Sequence, residues 1–188
     1  MPLGAARFGL LGGVADLGKL ELIETQTVTS GTSVDFIDLA YNPYNVYFLT
    51  VNNLQTSATS QAGLRFSNNN GSSFISSGYQ YANTRGSVGG GTSDGESTSH
   101  PQINTNLLSD TATGMSANGY FYLYNLLDSS KYSFANLHIF ASYSADPGRY
   151  SFGGGVLPTA ETHNAFQLFA TAGNITDATI SLYGIAES

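Results

Sequence analysis

The sequence predicts an all-β fold, a jelly-roll-like antiparallel β-sandwich with an extended N-terminal arm. Three observations predict it. From Lys19 onward, short runs with period-two alternation follow one another between clusters of Gly, Asn and Ser. Nowhere does a stretch sustain the period of an amphipathic helix. The connections are long excursions in place of uniform tight hairpins, which favours a Greek-key sandwich over a simple meander.

Residues 1–18 are rich in Gly and Ala, with only Arg7 and Asp16 charged, and are read as an arm preceding one domain at 19–188. The start superficially resembles a secretory leader. Glycines interrupt its apolar stretch, however, and no small-x-small cleavage site follows. Leu3, Phe8, Leu10 and Leu11 give the arm too much apolar surface for a passive linker. It is therefore expected to dock on a partner through Leu3, Arg7, Phe8, Leu10 and Leu11, the alternative being an arm folded back on its own domain.

The expected strands are Leu20–Thr27, Val34–Leu39, Val46–Val51, Gly63–Ser67, Ser73–Ser76, Gly119–Leu126, Tyr132–Tyr143, Arg149–Phe152, Ala165–Ala170 and Ala178–Ile185. Val46–Val51 is apolar on both faces, as a central strand covered on both sides should be. Tyr132–Tyr143 alternates a bulky face (Tyr132, Phe134, Asn136, His138, Phe140) with a small aliphatic one (Ser133, Ala135, Leu137, Ile139, Ala141). One face is expected in the core and the other against a second surface, such as another subunit. Asn83–Pro101 has five glycines and almost no apolar residue, so it is expected to be a loop that contributes nothing to the core and needs a neighbour or an ion to order it.

Composition narrows the function. The chain has 188 residues, 41% apolar and 12% aromatic, but only 10% charged. Its surface must be built largely from hydroxyl, amide and tyrosine groups. Such a surface is cheap to desolvate, because hydroxyls and amides pair again across an interface, which fits a protein packed against neighbours. The net charge is −7, the pI about 4.6, and six scattered Lys and Arg form no basic stripe, so nucleic acid is not an expected partner. No apolar run approaches the roughly 18 residues of a membrane-spanning helix, and no membrane partner is expected. With no cysteine, disulfides and thiolate metal sites are excluded.

Candidate chemistry is sparse. The histidines are His100, His138 and His163, none spaced from a second ligand as a metal site requires. His138, mid-strand among aromatics, is read as a neutral core imidazole, while His100 and His163 are read as solvated loop residues. Gly91-Thr92-Ser93-Asp94-Gly95 matches the letters of the hydrolase elbow Gly-x-Ser-x-Gly, but no helix is expected to follow a strand there as that elbow requires. Asp94-Gly95-Glu96 is a weak calcium candidate, read first as a solvated loop. No catalytic residue, metal or cofactor is expected. Tyr120, Tyr122 and Tyr124 fall on one face of their strand, opposite Phe121 and Leu123. With Phe121 and Leu123 inward they form an outward row suited first to an interface and second to stacking on sugar rings; inward-facing tyrosines are the third option.

Ser67-Asn68-Asn69-Asn70-Gly71-Ser72-Ser73-Phe74 resembles the Asp-box of sialidases and related β-proteins, with Asn69, Ser73 and Phe74 in the Asp, Thr and Trp positions. In those families the box is structural, so the resemblance implies a hairpin and not sialidase activity. The stretches Gly4–Gly9, Arg65–Phe74 and Gly173–Ile185 resemble small virion proteins of tailed bacteriophages, jelly-roll decoration or tail-fibre modules. That resemblance implies a non-enzymatic structural protein on the outer surface of a virion, most simply a capsid decoration (cement) protein. It also implies a homotrimer or other homo-oligomer in contact with the major capsid protein or tail proteins. The alternative it leaves open is a tail-fibre or receptor-binding module that contacts host glycans.

Overall fold

A computed structural model of the chain describes residues 19–110, 112 and 114–186. The expected arm, with Leu3, Arg7, Phe8, Leu10 and Leu11, lies outside the described residues. Within them the protein is an antiparallel β-sandwich without an α-helix. The strands are β1 (Leu20–Val28), β2 (Ser33–Phe36), β3 (Val46–Thr56), β4 (Ser60–Ser67), β5 (Tyr79–Ser87), β6 (Thr92–His100), β7 (Ile103–Ser109), β8 (Ala117–Tyr124), β9 (Ser133–Tyr143), β10 (Asp146–Leu157), β11 (Ala165–Ala170) and β12 (Ile175–Ile185).

One sheet has eight strands in the order β1-β12-β3-β8-β9-β10-β5-β6, and the other has four in the order β2-β11-β4-β7. Removing the hairpins β5–β6 and β9–β10 leaves β1-β12-β3-β8 facing β2-β11-β4-β7. That pattern, in which every successive pair of strands except β4 and β7 crosses between two four-stranded sheets, is a jelly roll. Both hairpins are insertions into jelly-roll connections, and both extend the same edge of the same sheet.

The core lies between the sheets and follows from alternation. The long sheet contributes Tyr47, Leu49, Phe121, Leu123, Leu137, Ile139, Ile180 and Leu182; the short sheet contributes Phe36, Leu64, Phe66, Phe166 and Leu168, all buried. Phe166 pairs across the ladder with both Phe36 and Phe66, and its ring stacks on Phe36 at 5.0 Å. Each such side chain contributes about 1.5–3 kcal/mol by burial. The core-facing side of β9 is the small aliphatic one, and its aromatic side points out. The expected burial of one face of this strand in the core thus falls to the small aliphatic side.

The excursion Asn83–Pro101 is not a structureless loop. It is most of the hairpin β5–β6, and the neighbour that orders it is β10 of the same chain. The Gly153-Gly154-Gly155 run, beyond the expected end of its strand at Phe152, lies inside β10 and pairs with Asn83, Ala82 and Tyr81. Gly153 has φ +154°, and a Cβ there would stand 2.4 Å from the Ala82 carbonyl oxygen, so only glycine lets β5 close on β10.

Ser73–Ser76 is not a strand. The turn chemistry before it is as expected: Asn69 Oδ1 accepts from Ser73 N at 3.0 Å, its Nδ2 donates to Ser73 Oγ at 2.8 Å, and Asn70 and Gly71 have positive φ. One ladder-like bond follows, Ile75 N to Phe66 O at 2.9 Å, and then the chain leaves for β5.

Candidate functional site

The outer face of the eight-stranded sheet is the candidate site. On β8 the inward Phe121 and Leu123 are buried, which turns Tyr120, Tyr122 and Tyr124 outward. β3 and β12 place Phe48 and Tyr183 beside them. Phe48 is the hub, its ring centroid 5.0 Å from Tyr122, 5.7 Å from Tyr120 and 6.2 Å from Tyr183. Tyr122 and Tyr124 are near-parallel at 6.3 Å. Among the described residues the outer side of β3 is thus covered by tyrosine rings and not by a further layer of backbone. Ring pairs in these tilted and offset arrangements hold one another in place at about 0.5–1.5 kcal/mol each, so the cluster is pre-ordered for contact.

The aromatic surface continues past β8. Phe134, Phe140 and Phe152 are 40%, 55% and 50% exposed, and Tyr120 is 36% exposed. Exposed phenylalanines gathered on one face are unusual where the rest of the surface is polar. His138 belongs to this face. It is not a core imidazole; it is exposed opposite Tyr120, whose hydroxyl lies 3.2 Å from its Nδ1. The aromatic neighbours that suggested burial are themselves outward.

Beyond β9 the face drops into a hollow of about 750 Å³. Its floor is Gly154 of β10 and Ala82 of β5, a directly paired couple with almost no side chain. Phe134 and Asn136 of β9 form one wall and Glu96 of β6 the other. A second hollow of about 360 Å³ adjoins it along Phe152, Thr84 and Asp94, where the Thr84 hydroxyl donates to Asp94 at 2.6 Å. Asp94 and Glu96 therefore sit on a strand, on one face, and not in a calcium-type loop. Among the described residues no group of three or more His, Cys, Asp or Glu is placed to hold a metal ion. The bulky side of β9 was legible in the sequence; Ala82 and Glu96 were hidden because β5 and β6 lack apolar alternation.

Ser133, His163 and Glu161 also come together, a trio that sequence order does not suggest. Ser133 Oγ is 2.7 Å from His163 Nδ1, and His163 Nε2 is 3.3 Å from Glu161 Oε1. His163 is no solvated loop residue: it is fully buried, with its ring 5.5 Å from that of Phe66. In a hydrolase triad Nε2 faces the hydroxyl and the carboxylate holds Nδ1. Here the ring is reversed and Ser133 is fully buried, so the trio is a structural relay that ties the β10–β11 connection to β9.

Fold and face together define a jelly-roll sandwich with two inserted hairpins and an aromatic outer sheet surface. No family model matches the chain, and no curated protein matches it. Among solved structures, the exo-inulinase from Aspergillus awamori aligns at 11% identity and a TM-score of 0.28. That alignment covers 93% of this chain and 31% of the inulinase, so the chain spans about a third of its length. A likeness of that degree carries no argument about fold or activity.

Proposed function

We propose that this chain is a non-enzymatic structural protein of a bacteriophage virion, a decoration (cement) protein that reinforces a capsid by subunit and capsid contacts. The observation that carries the reading is the Phe48–Tyr120–Tyr122–Tyr124–Tyr183 cluster on the outside of the jelly-roll half of the long sheet. Tyrosine buries a large area with few rotatable bonds and keeps a hydroxyl for hydrogen bonding at the contact. In a chain with only 10% charged residues, a surface built largely from hydroxyl, amide and tyrosine groups loses little on being covered. The virion assignment rests on the sequence resemblance; the aromatic face supplies the surface that such a role requires. The chain is proposed to meet copies of itself, as a trimer, and the major capsid or tail proteins, on the outer surface of the particle.

The test is re-addition of the full-length protein to particles assembled without it, read by co-sedimentation, with analytical ultracentrifugation of the free protein. Wild type is expected to bind and to sediment as an oligomer, and Tyr122→Asp to lose both properties while keeping its β circular-dichroism spectrum. Equal binding by Tyr122→Asp would overturn the docking role of this face.

A further inference from the structure

We propose that the hollow between β9 and β6 is a binding site for a neutral oligosaccharide. The site goes beyond the virion reading and stands whether the chain sits on a head or a tail. Floor and walls come entirely from β5, β6, β9 and β10, the two hairpins that the jelly roll does not need. The insertions thus build a concave surface beside the flat tyrosine cluster.

The shape follows from what the floor lacks. Gly154 pairs with Asn136 on one side and with Ala82 on the other, and Ala82 pairs with Glu96, so one cross-strand row runs wall, floor, floor, wall. A Cβ on Gly154 would stand 2.6 Å from the Ala135 carbonyl oxygen and 2.7 Å from Asn136 Oδ1, so the floor stays flat backbone. At about 4.8 Å between strands the walls stand about 14 Å apart, wide enough for a sugar chain lying flat. A volume of about 750 Å³ is within the range of small-ligand clefts.

The chemistry of the lining selects the occupant. Phe134 offers an exposed ring face and Val156 an apolar patch, which suit the C–H face of a pyranose. Glu96, Asn136, Gln80 and Thr98 surround that patch, and none hydrogen-bonds through its side chain to another described residue, unlike the neighbouring Thr84–Asp94 and Tyr120–His138 pairs. These groups accept from and donate to the hydroxyls at the edge of the same ring. The lining holds no Lys, Arg or His, and its one charged group is Glu96, so a phosphate, sulfate or uronate would be repelled. A lone carboxylate falls far short of the six to eight oxygens that calcium takes. A peptide that adds as a strand needs a free sheet edge, whereas this site lies on the sheet face.

The experiment is a glycan array probed with the full-length protein, carrying neutral hexose oligosaccharides beside sialylated and sulfated ones, followed by calorimetric titration of the strongest soluble binder. Binding to neutral oligosaccharides is expected. Phe134→Ala should weaken it about tenfold, and Ala82→Tyr, an outward substitution that fills the floor, should abolish it. Tyr41→Ala, at an exposed side chain outside both the aromatic cluster and the lining of the hollow, should leave it unchanged. Circular dichroism and thermal midpoints establish that each variant is folded. Failure of the wild type to bind any neutral oligosaccharide, binding confined to anionic glycans, or full affinity in Ala82→Tyr would each overturn the proposal. Particle binding by Ala82→Tyr reads the docking face separately, so the two readings fail independently.

Discussion

The Ser133 hydroxyl lies 2.7 Å from Nδ1 of His163, and both side chains are fully buried. Glu161 beyond the ring can only accept, so Nε2 carries the imidazole proton and Nδ1 accepts from Ser133. Glu161 in turn accepts from Asn68 Nδ2 at 3.0 Å, so the relay reaches the turn after β4.

This geometry predicts a pH dependence. Burial holds the His163 pKa below its ordinary value of 6.5, although Glu161 pulls the other way. The unfolded chain therefore takes up the proton more readily. The contribution is fully present above about pH 6.5 and is lost as pH falls from there through the folded value. Chemical denaturation between pH 5 and 8 should show falling stability on the acid side, and His163→Gln should flatten that slope. Ser133→Ala, which strands Nδ1, should cost about 1–3 kcal/mol at pH 7.5.

Tyr79 is fully buried, and its hydroxyl oxygen accepts the backbone N–H of Phe66 at 2.7 Å. Burial raises its pKa above the ordinary phenol range. Tyr79→Phe keeps the ring packing against Phe66 and leaves a buried donor unpaired. A loss of about 1–3 kcal/mol in urea unfolding is expected.

Gly153→Ala should detach the inserted hairpin without dissolving the jelly roll. Positive φ and a Cβ 2.4 Å from the Ala82 oxygen leave no room for the methyl group unless β5 moves. The expected cost is about 1–3 kcal/mol. Limited proteolysis should open new cuts within residues 79–100, while the β circular-dichroism signal is largely kept. An unchanged digest would show that β10 accommodates the methyl group.

Asp110 joins two connections, accepting from Ser144 N at 2.8 Å, from Ser144 Oγ at 2.5 Å and from Ala112 N at 3.0 Å. The bonds from Ser144, ahead of that from Ala112, hold its pKa below the ordinary 3.8, against a smaller opposing effect of burial. Its stabilisation is therefore present above about pH 3.8 and is lost as pH falls through the lowered value. Asp110→Asn should shift the acid-unfolding midpoint toward neutral pH, and Ser144→Ala should shift it in the same direction.

Much of the fold follows from local alternation alone. The all-β class, the inward Phe121 and Leu123 with tyrosines opposite, the two unlike faces of β9, and the Asn69–Gly71 turn all follow from period two or from the chemistry of a few adjacent side chains. Tertiary structure decided whatever depends on a distant partner. Thr92–His100 carries no apolar pattern and becomes a strand only because β5 pairs with it, and β5 is held by the glycines of β10. His138 and His163 exchange their expected environments for the same reason. The space between the sheets is filled by small aliphatic side chains of β9, which sends the aromatic face and His138 outward. The connection after β10 folds His163 onto Phe66 and Ser133. Strand pairing is non-local, so neither the hairpin that forms the hollow nor the buried relay could be read from neighbouring residues alone.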